Sequence, residues 1–150
     1  MNKLYSKRLM NAANIPTSKF IDFTDDQKDS ISFDEVRSRL GLPFMTKAAN
    51  LGSSVGIFKV TDETSFKYAI KEVFKYDHTM LCEAFIEGRE LECAVMGNES
   101  PEASTPGEIV VSEDYDFYTY EAKYLDPKAA AIEVPADVSP EIAEKIKELS

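Results

Sequence analysis

Residues 47 to 59, KAANLGSSVGIFK, place Gly52, Ser53, Ser54 and Gly56 in one short loop with a lysine on either flank. The stretches on each side, 42 to 48 and 55 to 60, both read as strands, so the loop is the bend of a strand–loop–strand unit. That excludes the P-loop, in which a Gly-Lys-Ser/Thr turn runs from a strand directly into a helix whose dipole helps hold a phosphate. Here the lysine, Lys47, comes before the loop. Two readings stay open. Glycine and serine are ordinary turn residues, and the loop can be a plain flexible β-turn. Small side chains also let backbone N–H groups close on a phosphate, as in a hairpin lid lying over a nucleotide.

The elements around this loop predict an α+β chain. Asn2 caps a first helix in which Tyr5, Leu9, Ala12 and Ala13 repeat on one face, and Asn14 with Ile15-Pro16 stops it. Residues 16 to 23 read as extended and run into an acidic turn at Asp25 and Asp26. Ser32-Phe33-Asp34-Glu35 is a capping box opening a helix that buries Phe33, Val36 and Leu40 before Gly41 ends it. From Asp62 a third helix carries Phe66, Ala69, Ile70, Val73 and Phe74 as one continuous apolar stripe. Strands are expected at 79 to 86, 90 to 97 and 107 to 112, with turns at Glu87-Gly88 and Gly97-Asn98. Residues 113 to 127 are polar and tyrosine-rich, with no helical or strand period. Ser139-Pro140-Glu141 starts a last helix with Ile142, Ile146 and Leu149 on its apolar face. That helix runs to Ser150 without a stop signal, so the chain is expected to be part of something larger.

Composition narrows the function classes. With 150 residues, 43% of them hydrophobic, the chain can form a core for one domain or two small lobes. A net charge of −10 argues against a nucleic-acid partner, which needs a basic face. Any anion site must therefore be local, carried by a few lysines and aimed amides. There is no apolar run of bilayer length, and the start, MNKLYSKRLMNAAN, lacks the apolar core of a secretory signal. No membrane insertion and a cytoplasmic location are expected. Cys82 and Cys93 lie in segments that read as strands and fit no zinc or redox spacing, so buried free thiols are expected. The single histidine, His78, sits in YDHTM and reads as a solvated turn residue, which leaves little room for histidine-based catalysis.

Two further stretches carry candidate chemistry. LCEAFIEGRE, residues 81 to 90, alternates apolar and polar residues, turns sharply, and delivers Glu90 to the next strand. Glu83 and Glu90, on either side of that turn, can accept from an adenine amine and from ribose hydroxyls, or can simply be solvated strand acids. FYTYEAKY, residues 117 to 124, is either a loop with hydrophobic anchors or a cover that folds over a ligand, with Lys123 supplying charge and tyrosines supplying hydroxyls.

In order and spacing, MNKLYSKRLMNAANIP, LGLPFMTKAANLGSSVGIFKV, EAFIEGRELECAVMGN, PGEIV and FYTYEAKYLD resemble the D-alanine–D-alanine ligases, a family of ATP-grasp enzymes, from about Met1 to about Ser150. The resemblance implies an ATP-grasp small subdomain over residues 1–80 with the glycine-rich lid. It implies the incomplete start of the second lobe over 81–150, with a covering loop at 113–127. It also implies roles. Lys3 and Lys47 would hold the α- and β-phosphates of ATP. Gly52, Ser53, Ser54, Val55 and Gly56 would close over the phosphates, with Ser53 near the dipeptide site. Glu83, with the backbone of Ala84 and Ile86, would read adenine, and Phe85 between them counts among the nucleotide-binding residues. Glu90 would hold ribose, Phe117 would lie near the base, and Lys123 near the γ-phosphate. Tyr124 would shape the site by hydrogen-bonding toward Ser53, so that Ser53, Lys123 and Tyr124 form the catalytic set.

The implied reaction joins D-alanine to D-alanine through an acyl phosphate, for peptidoglycan synthesis. Mg²⁺ is expected as well, with ligands on a carboxy-terminal stretch after Ser150. The family is commonly homodimeric. One departure from the family pattern is Met45-Thr46-Lys47-Ala48, where proline usually follows the lysine and an apolar residue stands at Thr46. The alternatives are a ligase that makes a D-alanyl ester with D-lactate, against which Tyr124 argues, and a non-catalytic ATP-binding or interaction module. Without the metal ligands, this chain alone is expected to show no turnover.

Overall fold

The computed structural model describes residues 2–112, 115 and 118–150, in two compact units, Met1–Ile86 and Glu87–Ser150. The first unit runs α1 (Lys3–Ala12), β1 (Phe20–Thr24), a 3₁₀ turn (Asp25–Gln27), α2 (Phe33–Leu40), β2 (Phe44–Ala48), β3 (Ile57–Val60), α3 (Glu63–Val73) and β4 (Thr79–Ala84). Each helix starts where a side chain satisfies an orphan amide. Asn2 accepts from the Tyr5 N–H at 3.0 Å, Ser32 from Glu35 at 3.3 Å and Asp62 from Ser65 at 2.7 Å.

The four strands form one antiparallel sheet in the order β1-β4-β2-β3. Strand parity decides which side chains enter the core. Phe44 and Ala48 of β2, Met80 and Cys82 of β4 and Val60 of β3 lie in one buried cluster with Val36 of α2 and Phe66, Ala69 and Val73 of α3. Rings of Phe44 and Phe66 meet edge to face at 5.4 Å, and Phe33 stacks on both. Burying each such ring contributes about 2–3 kcal/mol. Thr46, the unexpected hydroxyl in the strand, is fully buried and donates to the Phe58 carbonyl at 3.4 Å, so it leaves no unmet polar group in the core.

The first helix departs from its predicted face. Tyr5 and Leu9 are 62% and 71% exposed, Ala12 and Ala13 are exposed, and the buried residues are Leu4 and Lys7. The apolar repeat is thus the outer face, and a lysine occupies the inner one.

The second unit comprises β5 (Glu90–Glu92), β6 (Val95–Met96), β7 (Glu102–Ala103), β8 (Gly107–Val111), α4 (Tyr120–Tyr124), β9 (Ala130–Glu133) and α5 (Pro140–Leu149). β5, β8 and β9 make an antiparallel sheet, and β6 and β7 a small hairpin. The strand expected over 90 to 97 is therefore two short ones, with Cys93 between them, half-buried and outside any strand. The segment 113 to 127, read as having no regular period, contains α4, which Thr119 caps by accepting from Ala122 N–H at 3.2 Å. Arg89 ties this unit together: its guanidinium clasps both carboxylate oxygens of Glu108 and donates to the Asp137 carbonyl at 2.9 Å. No helix among the described residues is long and apolar enough to cross a membrane.

Candidate nucleotide-binding site

The site in the first unit follows from the same parity that fills the core. With Phe44, Thr46 and Ala48 pointing to the helices, Lys47 must point to the opposite face of β2. Glu83 does likewise on β4, where it alternates with Cys82. In register, Lys47 stands opposite Leu81, so Glu83 is its diagonal neighbour. Their side chains meet, Lys47 Nζ to Glu83 Oε2 at 2.9 Å. Glu83 is 8% exposed and so is no solvated strand acid.

Lys7 of α1 reaches the same oxygen at 3.6 Å and donates to Thr17 Oγ1 at 2.6 Å and Ser18 Oγ at 2.9 Å. Ser18 Oγ in turn donates to Glu83 Oε2 at 3.4 Å. Burial pulls the Lys7 ammonium below its ordinary range, the neighbouring Lys47 adds to this, and the Glu83 carboxylate counters both. Lys3 is held similarly. Its Nζ donates to the Ala48 carbonyl at 3.0 Å and to that of Leu51, and its own N–H to the Ala49 carbonyl at 2.8 Å. Burial first, and then Lys47, depress its pKa. Lys7 and Lys47 thus share one carboxylate, and Lys3 stands near enough to feel both it and Asp77, in a chain whose net charge is −10.

Lys3 grips the chain immediately before the glycine loop. In the loop Val55 N–H donates to the Gly52 carbonyl at 3.0 Å, and Ser53 and Ser54 hold φ of 53° and 59°. That left-handed conformation costs a non-glycine residue on the order of 1 kcal/mol or more. Gly56, at φ 68°, needs to be glycine twice over: a Cβ there would stand 3.1 Å from the Ala48 Cβ. Gly52 meets neither constraint, since open space surrounds its Cβ position.

The remaining expected residues are placed as follows. Ala84 follows Glu83 with its N–H already given to the Lys19 carbonyl at 2.9 Å. The Phe85 ring lies under Lys59 Nζ at 5.0 Å, and Ile86 is exposed. Glu90, Lys123 and Tyr124 belong to the second unit. There Lys123 Nζ sits 4.7 Å over the Tyr118 ring, and the Tyr124 and Tyr120 rings meet at a tilt of 51° with centroids 5.0 Å apart. Phe117 lies outside the described residues. Sequence reasoning missed Lys7, Thr17 and Ser18. The available signal was the spacing of Lys3 and Lys7, one helical turn apart on the face that also carries buried Leu4.

The lysine group, the acceptor carboxylate and the strained small-residue loop suit an anionic nucleotide. They do not suit a metal: among the described residues no group of three or more His, Cys, Asp or Glu stands together to hold one.

Comparisons with known proteins bear on the family and the fold. The family model described as D-ala D-ala ligase C-terminus matches residues 9–150. D-alanine–D-alanine ligase A of Escherichia coli strain K12 is 47% identical over all of this chain and 41% of that protein. The D-alanine–D-alanine ligase of Oceanobacillus iheyensis is 45% identical over all of this chain and 40% of that protein. Among solved structures, the VanG D-Ala:D-Ser ligase from Enterococcus faecalis superposes with a TM-score of 0.83 at 30% identity, over 99% of this chain and 42% of that one. The D-alanine–D-alanine ligase from Coxiella burnetii gives 0.77 at 31%, over 99% and 37%. The chain spans about two fifths of the length of the curated relatives it matches. The α+β, ATP-grasp-type fold class read from the sequence holds, and the chain belongs to the D-ala D-ala ligase C-terminus family.

Proposed function

We propose that this chain supplies the ATP-binding part of a cytoplasmic D-alanine–D-alanine ligase of peptidoglycan synthesis. The observation that carries the reading is the convergence of Lys3, Lys47 and Glu83 beneath the entrance of the glycine loop. ATP supplies the phosphoryl group that converts the carboxylate of one D-alanine into an acyl phosphate, from which the amine of a second D-alanine displaces phosphate. Lys3 and Lys47 neutralise the α- and β-phosphates, and the amides and hydroxyls of residues 52–56 cover the phosphates and exclude water. Glu83, with Ala84, Phe85 and Ile86, takes the base, and Glu90 the ribose. By the family resemblance, Lys123 acts at the γ-phosphate, Phe117 at the base, and Ser53 with Tyr124 at the dipeptide. Mg²⁺, when bound, would add positive charge at the phosphates; among the described residues no group of three or more His, Cys, Asp or Glu would hold it.

Calorimetric titration of ATP into the wild-type chain and into Lys47→Ala tests this. Saturable binding that Lys47→Ala weakens about tenfold or more is the expected result. Saturable binding indifferent to Lys47 overturns the phosphate assignment. The chain alone is expected to give no turnover, and D-alanine-dependent phosphate release above blank would contradict that.

A further inference from the structure

Among the described residues, the Glu83 carboxylate meets its partners through one oxygen. Lys47 Nζ, Lys7 Nζ and Ser18 Oγ lie 2.9, 3.6 and 3.4 Å from Oε2. Oε1 takes part in none of them. A carboxylate clamped at one oxygen presents the other in a fixed direction, as an acceptor for a donor on a ligand. The two cations differ in what else they are asked to do. Lys47 is assigned to phosphate, so a bound nucleotide draws its ammonium away from Glu83. Lys7 has no such freedom: it is 8% exposed, tied to Thr17 and Ser18, with its ammonium over the Phe20 ring, 5.4 Å from the centroid.

We infer that Lys7, with Ser18, is a positioning residue that holds Glu83 Oε2 while nucleotide is bound, so that Oε1 selects a base bearing an exocyclic amine over one bearing a carbonyl. The inference rests on the reading of Glu83 as the base acceptor and adds the residue that makes it selective. A carbonyl at that position would set two acceptors against each other, and a well-aimed acceptor rejects it more strongly than a loose one. Lys7 itself touches no ligand in this account. Its effect is confined to the aim of Glu83.

The test measures dissociation constants for ATP and for inosine triphosphate, which carries a carbonyl where adenine has its amine. The proteins are the wild-type chain, Lys7→Met, Ser18→Ala, Glu83→Gln and the Lys7→Met/Glu83→Gln double variant, each checked for its fold by circular dichroism. The wild type is expected to prefer ATP. Lys7→Met should reduce that preference about tenfold, and Ser18→Ala in the same direction by about threefold. In the Glu83→Gln background, removing Lys7 should leave the preference unchanged, because its effect passes through Glu83. A merely structural lysine would weaken both nucleotides alike. An unchanged ATP preference in both Lys7→Met and Ser18→Ala overturns the inference alone. If Lys7→Met fails to fold, Ser18→Ala decides by itself. Wild-type binding of both nucleotides with equal affinity overturns the base assignment of Glu83 and this inference together, while the phosphate reading stands. No binding of either overturns all three.

Discussion

Lys47 and Glu83 stand diagonally across adjacent strands with Nζ 2.9 Å from Oε2, both largely buried, and Lys7 shares the same oxygen from the other side. Two cations and one anion make the arrangement asymmetric. Lys47→Met leaves Glu83 still paired and should lower stability by about 1–2 kcal/mol. Glu83→Gln strips the anion from two largely buried ammoniums and should cost about 3 kcal/mol. Urea denaturation midpoints of the two variants check the order, and an equal or reversed order would show that Lys7 contributes nothing to the pairing.

Gly56 should be the less replaceable of the two loop glycines. Gly56→Ala puts a Cβ 3.1 Å from that of Ala48 on a backbone at φ 68°, a strain of about 1–2 kcal/mol. Gly52→Ala has room and is expected to be within about 0.5 kcal/mol of wild type. Thermal unfolding of the two variants separates them.

Asp25 and His78 form an exposed pair, Oδ2 to Nδ1 at 2.6 Å, in which each partner favours the other's charged form. The hydrogen bond to Asp25 raises the His78 pKa above 6.5, and the bond to His78 lowers that of Asp25 below 3.8. The histidine contribution is complete below 6.5 and fades as pH rises through its folded value. The aspartate contribution is complete above 3.8 and fades as pH falls through its own. The pair therefore stabilises the fold between about pH 3.8 and 6.5. Because His78 is the chain's single histidine, one imidazole resonance reports it. Its titration should move toward 6.5 in Asp25→Asn, and a midpoint that stays put would refute the coupling.

Cys82 lies wholly inside the first core, where burial drives its thiol pKa strongly upward, while Cys93 is only half-buried. A thiol that cannot form its thiolate is slow toward alkylating reagents. In native buffer one thiol per chain should react with iodoacetamide readily and the second only after denaturant is added. Prompt modification of both would contradict the burial of Cys82.

Much of the first unit was legible because its signals are local. Ser32 and Asp62 announce their helices by a single side chain placed before an apolar stripe, as Ser139 does in the second unit. The strand–loop–strand around Gly52–Gly56 is written in its turn residues. The face of α1 was not legible, because a pattern of apolar residues cannot show that Lys7 is the buried member. Its burial depends on Glu83, Thr17 and Ser18, which are distant in sequence or on another element. β9 escaped for a different reason: Ala130 to Glu133 carry a single strand-favouring side chain, Ile132, and the strand forms by pairing with β8. α4 is too short to show a period and is marked by its Thr119 cap. The site was legible as a set of residue types through the family resemblance, while the sharing of Glu83 by two lysines required strand register.

The sheet order also sets two clocks. β4, which carries Glu83, is laddered on both edges, to β1 and to β2, whereas β3, into which the glycine loop leads, is bonded to β2 alone. Amides laddered on both sides trade their hydrogens for deuterium only in rare, near-global openings, whereas those at a border and in a turn do so in frequent local ones. On this architecture the carboxylate is stationary over the lifetime of many loop excursions. Exchange along the Glu83 strand should therefore lag far behind exchange across residues 49–56.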